Sequence, residues 1–172
     1  MSVDAFATLG IAPAFDVDLA AVEKVHRELS RALHPDRYVG APPSERRAAL
    51  GKAVEVNETW RVVRDPIRRA DALLALSGVV LGEGDGRKAE PEFLMDMLEQ
   101  REALSEAKQA RDLEGVRRMA AAIEARFGAV ERALAAGFQR GEAASLAAQI
   151  GELKYYRRFL DEVSAIEDEL AA

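Results

Sequence analysis

The run His34-Pro35-Asp36 is the most distinctive combination of reactive side chains in this sequence. An imidazole two residues from a carboxylate could work as a general base that an acid orients. Neither a nucleophile motif nor an oxyanion loop accompanies the pair, so we expect no enzymatic activity and assign no catalytic residue. The other interpretation is a recognition loop, whose exposed side chains contact a partner.

A predicted helix leads into this loop and carries positive charge. Asp18 can cap the helix, and its apolar residues recur at three- and four-residue spacing: Leu19, Val22, Val25, Leu29 and Leu33. The helix must end by His34, because a residue that precedes proline avoids the helical conformation. Three basic residues share its opposite face: Lys24, Arg27 and Arg31. Such a face is by itself typical of a solvated helix, but beside an exposed loop it also suits an acidic partner.

A second long helix follows the loop. Pro42-Pro43-Ser44 closes the connection, and we expect Ser44 to be the N-cap of this helix. Its predicted apolar residues are Leu50, Val54, Trp60 and Val63. The two helices should form a hairpin with residues 34–36 at its tip, flanked by short helices near 5–9 and 67–76.

A cluster of glycines divides the chain. Four glycines precede Pro91, at positions 78, 82, 84 and 86, which predicts a linker over 78–90 between domains 1–77 and 91–172. Three helical stretches follow, at about 91–111, 113–136 and 142–170. Their short connections predict an antiparallel three-helix bundle. No strand-like alternation occurs, so the fold class should be all-α.

The first bundle helix has more apolar residues than one core face needs. The core face should comprise Phe93, Met97, Leu104 and Ala107. Another side carries three apolar residues followed by three acids: Leu94, Met95, Leu98, Glu99, Glu102 and Glu106. An apolar patch beside acids is typical of a partner-binding surface. On the last helix, Tyr155 and Phe159 also lie off the predicted core stripe. The alternative is that these side chains pack against the linker or the first domain.

Composition excludes several classes of function. The chain has 172 residues, no cysteine and two histidines, so we expect no thiolate-held metal or cluster, no metal site and no cofactor. The net charge of −6 argues against a general nucleic-acid partner. No apolar stretch reaches the roughly 18 residues of a membrane span, so we expect a cytoplasmic protein without membrane contact.

The first 75 residues or so resemble the J-domain. Besides the loop, the likeness rests on Phe6-Ala7-Thr8-Leu9-Gly10, Val56-Asn57-Glu58-Thr59-Trp60 and Asp65-Pro66-Ile67-Arg68-Arg69-Ala70. The resemblance implies a co-chaperone that stimulates the ATPase of a DnaK-type chaperone. The implied chaperone-binding residues are His34, Pro35, Asp36, Lys24, Arg27, Arg31 and Arg37. Arg37 stands where lysine is common in J-domains.

The second half is similar to the HscB family of iron–sulfur cluster co-chaperones. The likeness rests on the run from Phe93 to Glu102, read together with the J-domain motifs. It implies HscA as chaperone and the scaffold protein IscU as client. The implied scaffold-binding residues are Leu94, Met95, Leu98, Glu99, Glu102, Glu106 and Phe159. A J-domain protein with a different client is the alternative function, and a purely structural helical protein is a further one.

Overall fold

The computed structural model describes residues 4–79 and 89–171. Within these ranges all regular structure is helical, which confirms the all-α prediction. The chain forms two compact units, Met1–Val79 and Val80–Ala172. Most of the predicted linker, including Gly82, Gly84 and Gly86, lies outside the described residues. The helices are α1 (Ala5–Thr8), α2 (Leu19–Ala32), α3 (Pro43–Arg64), α4 (Pro66–Leu76), α5 (Pro91–Gln109), α6 (Leu113–Gln139) and α7 (Ala147–Ala171), with 3₁₀ turns at Pro35–Tyr38 and Ala143–Ser145.

Aspartates begin three helices of the first unit. The Asp18 carboxylate accepts the backbone N–H of Ala21 at 3.0 Å, as predicted for α2. Asp4 and Asp65 cap α1 and α4 in the same way. Each cap satisfies an N–H group that has no partner inside its helix. The start of α2, and with it the orientation of its basic residues, is therefore encoded locally.

The core of the first unit lies between α3 and its neighbours. Phe6 of α1, Val56 and Val63 of α3 and Leu74 of α4 are almost completely buried. Arg69 is also buried, and its guanidinium donates to the Val63 carbonyl at 2.7 Å. These contacts hold α1 and α4 on α3.

The expected start of α3 is wrong. The helix begins at Pro43 rather than after Ser44, because a proline fits the first helical position with its fixed φ and needs no donor there. Leu50 and Val54 of this helix are exposed. Since each residue advances about 100° around a helix, both lie more than about 100° from the buried face of Ala49, Val56 and Val63.

The second unit is an up-down-up bundle of α5, α6 and α7. Lys108 pairs with Glu169 at 2.7 Å and Arg101 with Glu162 at 3.7 Å, so residue numbers rise together along α5 and α7 and these helices run parallel. Arg126 of α6 pairs with Asp96 of α5, and the two residues lie equally far along the chain from the short connection at 110–112, so α6 runs antiparallel to α5. This is the arrangement of the predicted three-helix antiparallel bundle.

The connection from α6 to α7 differs from the expectation. The last helix begins at Ala147 rather than near 142, after a 3₁₀ turn. Gly141 has φ +74°, a conformation that ends α6 and that glycine adopts without strain. The helix α6 continues to Gln139, beyond its predicted end near 136, and a Cβ at Gly137 would lie 2.5 Å from the Leu146 side chain.

Candidate functional site: two exposed surfaces

His34, Pro35 and Asp36 form an exposed, hydrogen-bonded turn, here called the HPD turn. His34 Nδ1 accepts the backbone N–H of Asp36 at 3.3 Å and caps the 3₁₀ turn Pro35–Tyr38. Because Nδ1 is the acceptor, the proton of the neutral ring is on Nε2. The 3.5 Å separation of Nδ1 from Asp36 Oδ2 is then a contact rather than a hydrogen bond. The His34 and Asp36 side chains are 60% and 87% exposed, so both present polar groups to solvent.

Backbone and side-chain bonds brace the turn. Arg37 N–H donates to the His34 carbonyl at 3.0 Å, and the Tyr38 hydroxyl reaches the Ala32 carbonyl at the end of α2 at 3.4 Å. The side chain of Arg37 is itself exposed. The turn is therefore held against the end of α2 while its functional groups remain accessible.

The basic face of α2, formed by Lys24, Arg27 and Arg31, is exposed as predicted. Arg27 has one weak contact, with Glu23 Oε1 at 4.0 Å on the same helix. An exposed ion pair of this kind contributes little to stability. The positive charges are consequently available to an acidic partner, and they continue into the HPD turn at the end of the helix.

Contacts of His26, which the sequence pattern did not single out, fix α2 on α3. The His26 ring stacks on Trp60 with centroids 5.4 Å apart, and His26 Nε2 lies 3.0 Å from Asn57 Oδ1. The contact could have been predicted from the sequence, because His26 lies about 40° from the apolar Val22 on the helix and so faces the hairpin partner. This contact supports the hairpin that presents the HPD turn.

The apolar patch of α5, formed by Leu94, Met95 and Leu98, is exposed as expected. These side chains are 39%, 59% and 51% exposed. The predicted core face is confirmed beneath them: Met97 and Leu104 are buried, and Phe93 and Ala107 pack against the same cluster. The apolar patch therefore lies outside the bundle core.

The acid row of α5, formed by Glu99, Glu102 and Glu106, continues the patch along the helix. All three residues are exposed, and none has an ion-pair partner among the described residues. The basic residues Arg101 and Lys108 of α5 pair instead with α7. The negative charge of the row is thus left uncompensated at the surface.

Phe159 does not lie off the core stripe, and this expectation is wrong. Its side chain is fully buried in the cluster that contains Met97, Leu104 and Ile123. The stripe of α7 simply continues through Tyr156, Phe159 and Val163, at helical spacing. A side chain without exposed surface cannot contact a partner, so Phe159 stabilises the bundle instead.

Partly buried polar groups lie behind the start of α5. The burial of the Glu152 carboxyl raises its pKa. Burial also raises the pKa of the Tyr156 hydroxyl, and the negative charge of Glu152 adds to this rise. Asp96 and Arg126 form an ion pair between α5 and α6 in the same region. The ion pair joins the helix that bears the apolar patch to α6.

Neither surface has the features of a metal or membrane site. No group of three or more potential metal-ligating side chains occurs in residues 4–79 and 89–171. Among the helices that the structure describes, none combines the length and apolar character needed to span a bilayer.

Comparisons with known proteins point to one family. A family model described as "HSCB C-terminal oligomerisation domain" matches residues 89–164. A co-chaperone protein HscB homolog from Shewanella sp. strain ANA-3 is 31% identical over 169 residues, which cover 96% of this chain and 97% of that protein. The homolog from Shewanella oneidensis is 33% identical over 162 residues, covering 92% and 93%.

Solved structures agree. Chaperone HscB from Vibrio cholerae superposes with a TM-score of 0.87 at 27% identity, covering 96% of this chain and 98% of that chain. Human co-chaperone HscB, at 19% identity and a TM-score of 0.86 over 95% and 82% of the two chains, supports the fold alone. With full-length similarity of this kind, the chain belongs to the HscB co-chaperone family, with a J-domain as its first unit and a three-helix bundle as its second.

Proposed function

We propose that this protein stimulates the ATPase of an HscA/DnaK-type chaperone through its J-domain and delivers an IscU-type scaffold protein to it through the bundle. The cellular role would be assistance in iron–sulfur cluster assembly and transfer. ATP hydrolysis belongs to the chaperone in this scheme, and this protein contributes no catalytic residue. The observation that carries the proposal is the accessible HPD turn at the end of an exposed basic face.

The geometry of the first unit supports chaperone docking. The HPD turn presents a carboxylate and an imidazole N–H, and the basic face adds three exposed cations. Complementary charge accelerates encounter with an acidic surface, while the hydrogen-bonding groups of the turn supply specificity. Lys24, Arg27, Arg31, Pro35 and Arg37 would surround the His34–Asp36 pair in that contact.

The second unit supports scaffold binding. A partner with an apolar centre and a basic rim would cover Leu94, Met95 and Leu98 and pair with the acid row. Apolar anchors encircled by charged residues are the usual construction of a protein interface. The uncompensated charge of Glu99, Glu102 and Glu106 would set the orientation of this partner.

The test is the steady-state ATPase rate of a purified DnaK-type chaperone, measured with and without this protein and an IscU-type scaffold protein. We expect stimulation by this protein alone and a further increase with scaffold. His34→Gln and Asp36→Asn should each abolish the stimulation with unchanged circular dichroism, because exposed turn residues contribute little burial.

A matched control is Asp16→Asn, which removes an exposed aspartate outside the HPD turn and should leave stimulation unchanged. Normal stimulation by folded His34→Gln would contradict the chaperone half of the proposal. Stimulation that does not respond to scaffold, together with no scaffold binding, would contradict the client half and favour a co-chaperone for another client.

A further inference from the structure

The methionines hold all the sulfur of this chain, because it has no cysteine. Three of them lie in the described ranges, and their exposure differs. Met95 is 59% exposed and Met97 is 3% exposed, while Met119 is partly buried against the bundle core. An oxidant in solution can therefore reach the thioether of Met95 directly, whereas the fold shields that of Met97.

Met95 lies where the apolar patch meets the acid row. Because each residue advances about 100° around a helix, Met95 is within about 40° of all three members of the acid row. Leu94 and Leu98 lie further round, about 100° and 60° from it on one side. Met97 is about 160° away and belongs to the core. The exposed thioether thus stands inside the surface that we assign to the scaffold protein.

We propose that Met95 is a modification site, at which a peroxide forms methionine sulfoxide and thereby weakens binding of the scaffold protein. This inference rests on the proposed function of the bundle. The sulfur lone pair attacks one peroxide oxygen, so that an S–O bond forms while the O–O bond breaks. With hydrogen peroxide, the leaving hydroxide takes up the proton of the transferred oxygen and departs as water. The sulfur is oxidised by two electrons, and the peroxide is reduced.

Oxidation of Met95 changes the apolar patch without damaging the fold. The thioether is flexible and apolar, whereas the sulfoxide is polar and its oxygen accepts hydrogen bonds. Under an apolar partner surface that oxygen loses water and finds no donor, which weakens binding about tenfold. In the free protein the oxygen stays solvated, because Met95 is exposed. The same modification of Met97 would place a polar group in the core, and the burial of Met97 prevents it.

The first measurement locates the oxidation. The folded full-length protein is treated with hydrogen peroxide, and catalase then removes the oxidant. Tandem mass spectrometry follows the tryptic peptide 89–101, which contains both Met95 and Met97, and fragments that break at Asp96 assign the added oxygen to one of them. Met95 should oxidise about tenfold faster than Met97 in the folded protein and at a similar rate in urea. Equal rates in the folded protein would overturn the inference.

The second measurement is the affinity of a purified IscU-type scaffold protein, never exposed to peroxide, by isothermal titration calorimetry. Treatment should weaken binding by the parent about tenfold with unchanged circular dichroism, and methionine sulfoxide reductases A and B should restore it. Met95→Leu has no thioether at this position, so treatment should leave its affinity at its own untreated value. Met119→Leu is the matched control, because it removes another methionine and should keep the full response.

The outcomes separate this inference from the proposed function. Normal scaffold binding that oxidation of Met95 leaves unchanged overturns the inference and spares the proposed scaffold site. An equal loss of affinity in treated Met95→Leu also overturns it, because another residue would then be responsible. No binding by the untreated parent removes the proposed scaffold site, and with it the effect of oxidation on binding.

Discussion

Truncating the apolar patch should separate binding from folding. Leu94 and Leu98 are 39% and 51% exposed, and part of their covered surface lies against the preceding turn of α5 itself. Complete burial of a leucine stabilises by about 1.5–3 kcal/mol. Substitutions at surface positions usually change stability by no more than about 0.5 kcal/mol, so we expect each alanine substitution to cost about 0.5 kcal/mol, well below the value for complete burial. The double variant should lose about 1 kcal/mol, or about 4–8 °C in Tm for a unit of this size.

A core substitution on the same helix gives the reference. Leu104 is fully buried, so Leu104→Ala should cost about 2–5 kcal/mol through lost burial and the cavity that remains. Thermal unfolding followed by far-UV circular dichroism reports on both units. Trp60 is the only tryptophan and belongs to the first unit, so its fluorescence follows that unit separately. Both variants should lower the unfolding temperature that circular dichroism reports. The unfolding that Trp60 fluorescence reports should be unchanged.

The double variant should lose more scaffold affinity than fold stability. Interface anchors cost about 2 kcal/mol or more when truncated, and about 1.4 kcal/mol is tenfold, so the double variant should bind an IscU-type scaffold about thirtyfold more weakly or worse. Direct stimulation of the chaperone should persist, because the HPD turn is unchanged. If the double variant instead lost several kcal/mol of stability, the patch would belong to the core and the reasoning from exposure would be refuted. Unchanged affinity in a stable double variant would refute the assignment of the client site.

Three further predictions test charge, pH and packing. Arg27→Glu should slow chaperone association severalfold in stopped-flow experiments, and the parent rate should fall as salt rises; a salt-independent rate contradicts electrostatic docking. Burial raises the pKa of Glu152 above its ordinary value of 4.5, because ionising this carboxyl costs more in the folded state. The contribution of Glu152 to stability therefore declines as pH rises from 4.5 through the raised pKa. Urea unfolding at a series of pH values should show a smaller decline in stability for Glu152→Gln. An unchanged dependence of stability on pH contradicts this prediction. Gly137→Ala places a Cβ 2.5 Å from the Leu146 side chain and should cost about 1–3 kcal/mol, whereas Gly128→Ala, with only a flexible side chain at 3.4 Å, should be neutral or stabilising.

Helix periodicity predicted much of the fold because local chemistry sets it. Asp18 begins α2 and Pro35 ends the possible helix, and both signals act within a few residues. The start of α7 was less predictable, because it depends on the left-handed conformation of Gly141 and on the packing of Leu146 against α6. Those are consequences of tertiary structure, which periodicity does not contain.

The candidate sites were also predictable from the sequence only in part. The exposure of Leu94, Met95 and Leu98 was predictable, because α5 has more apolar residues than a single core face accommodates. Phe159 was misplaced, since the stripe of α7 is wide enough to admit a second row of apolar residues when two helices pack on it. The width of a buried stripe depends on how many neighbours cover the helix, and one helix considered alone cannot supply that number.

Three faces of α5 account for how one helix serves both stability and binding. Met97 and Leu104 face the core, while Arg101 and Lys108 pair with α7 and neutralise the charges along that seam. The acid row neither faces the core nor pairs with α7, so the repulsion between its carboxylates is not relieved inside the unit. Closely spaced like charges on one helix face destabilise it slightly, and a basic partner would reverse that cost on binding. The unfavourable charge pattern of the isolated bundle is therefore an argument for a partner, independent of the exposed leucines beside it.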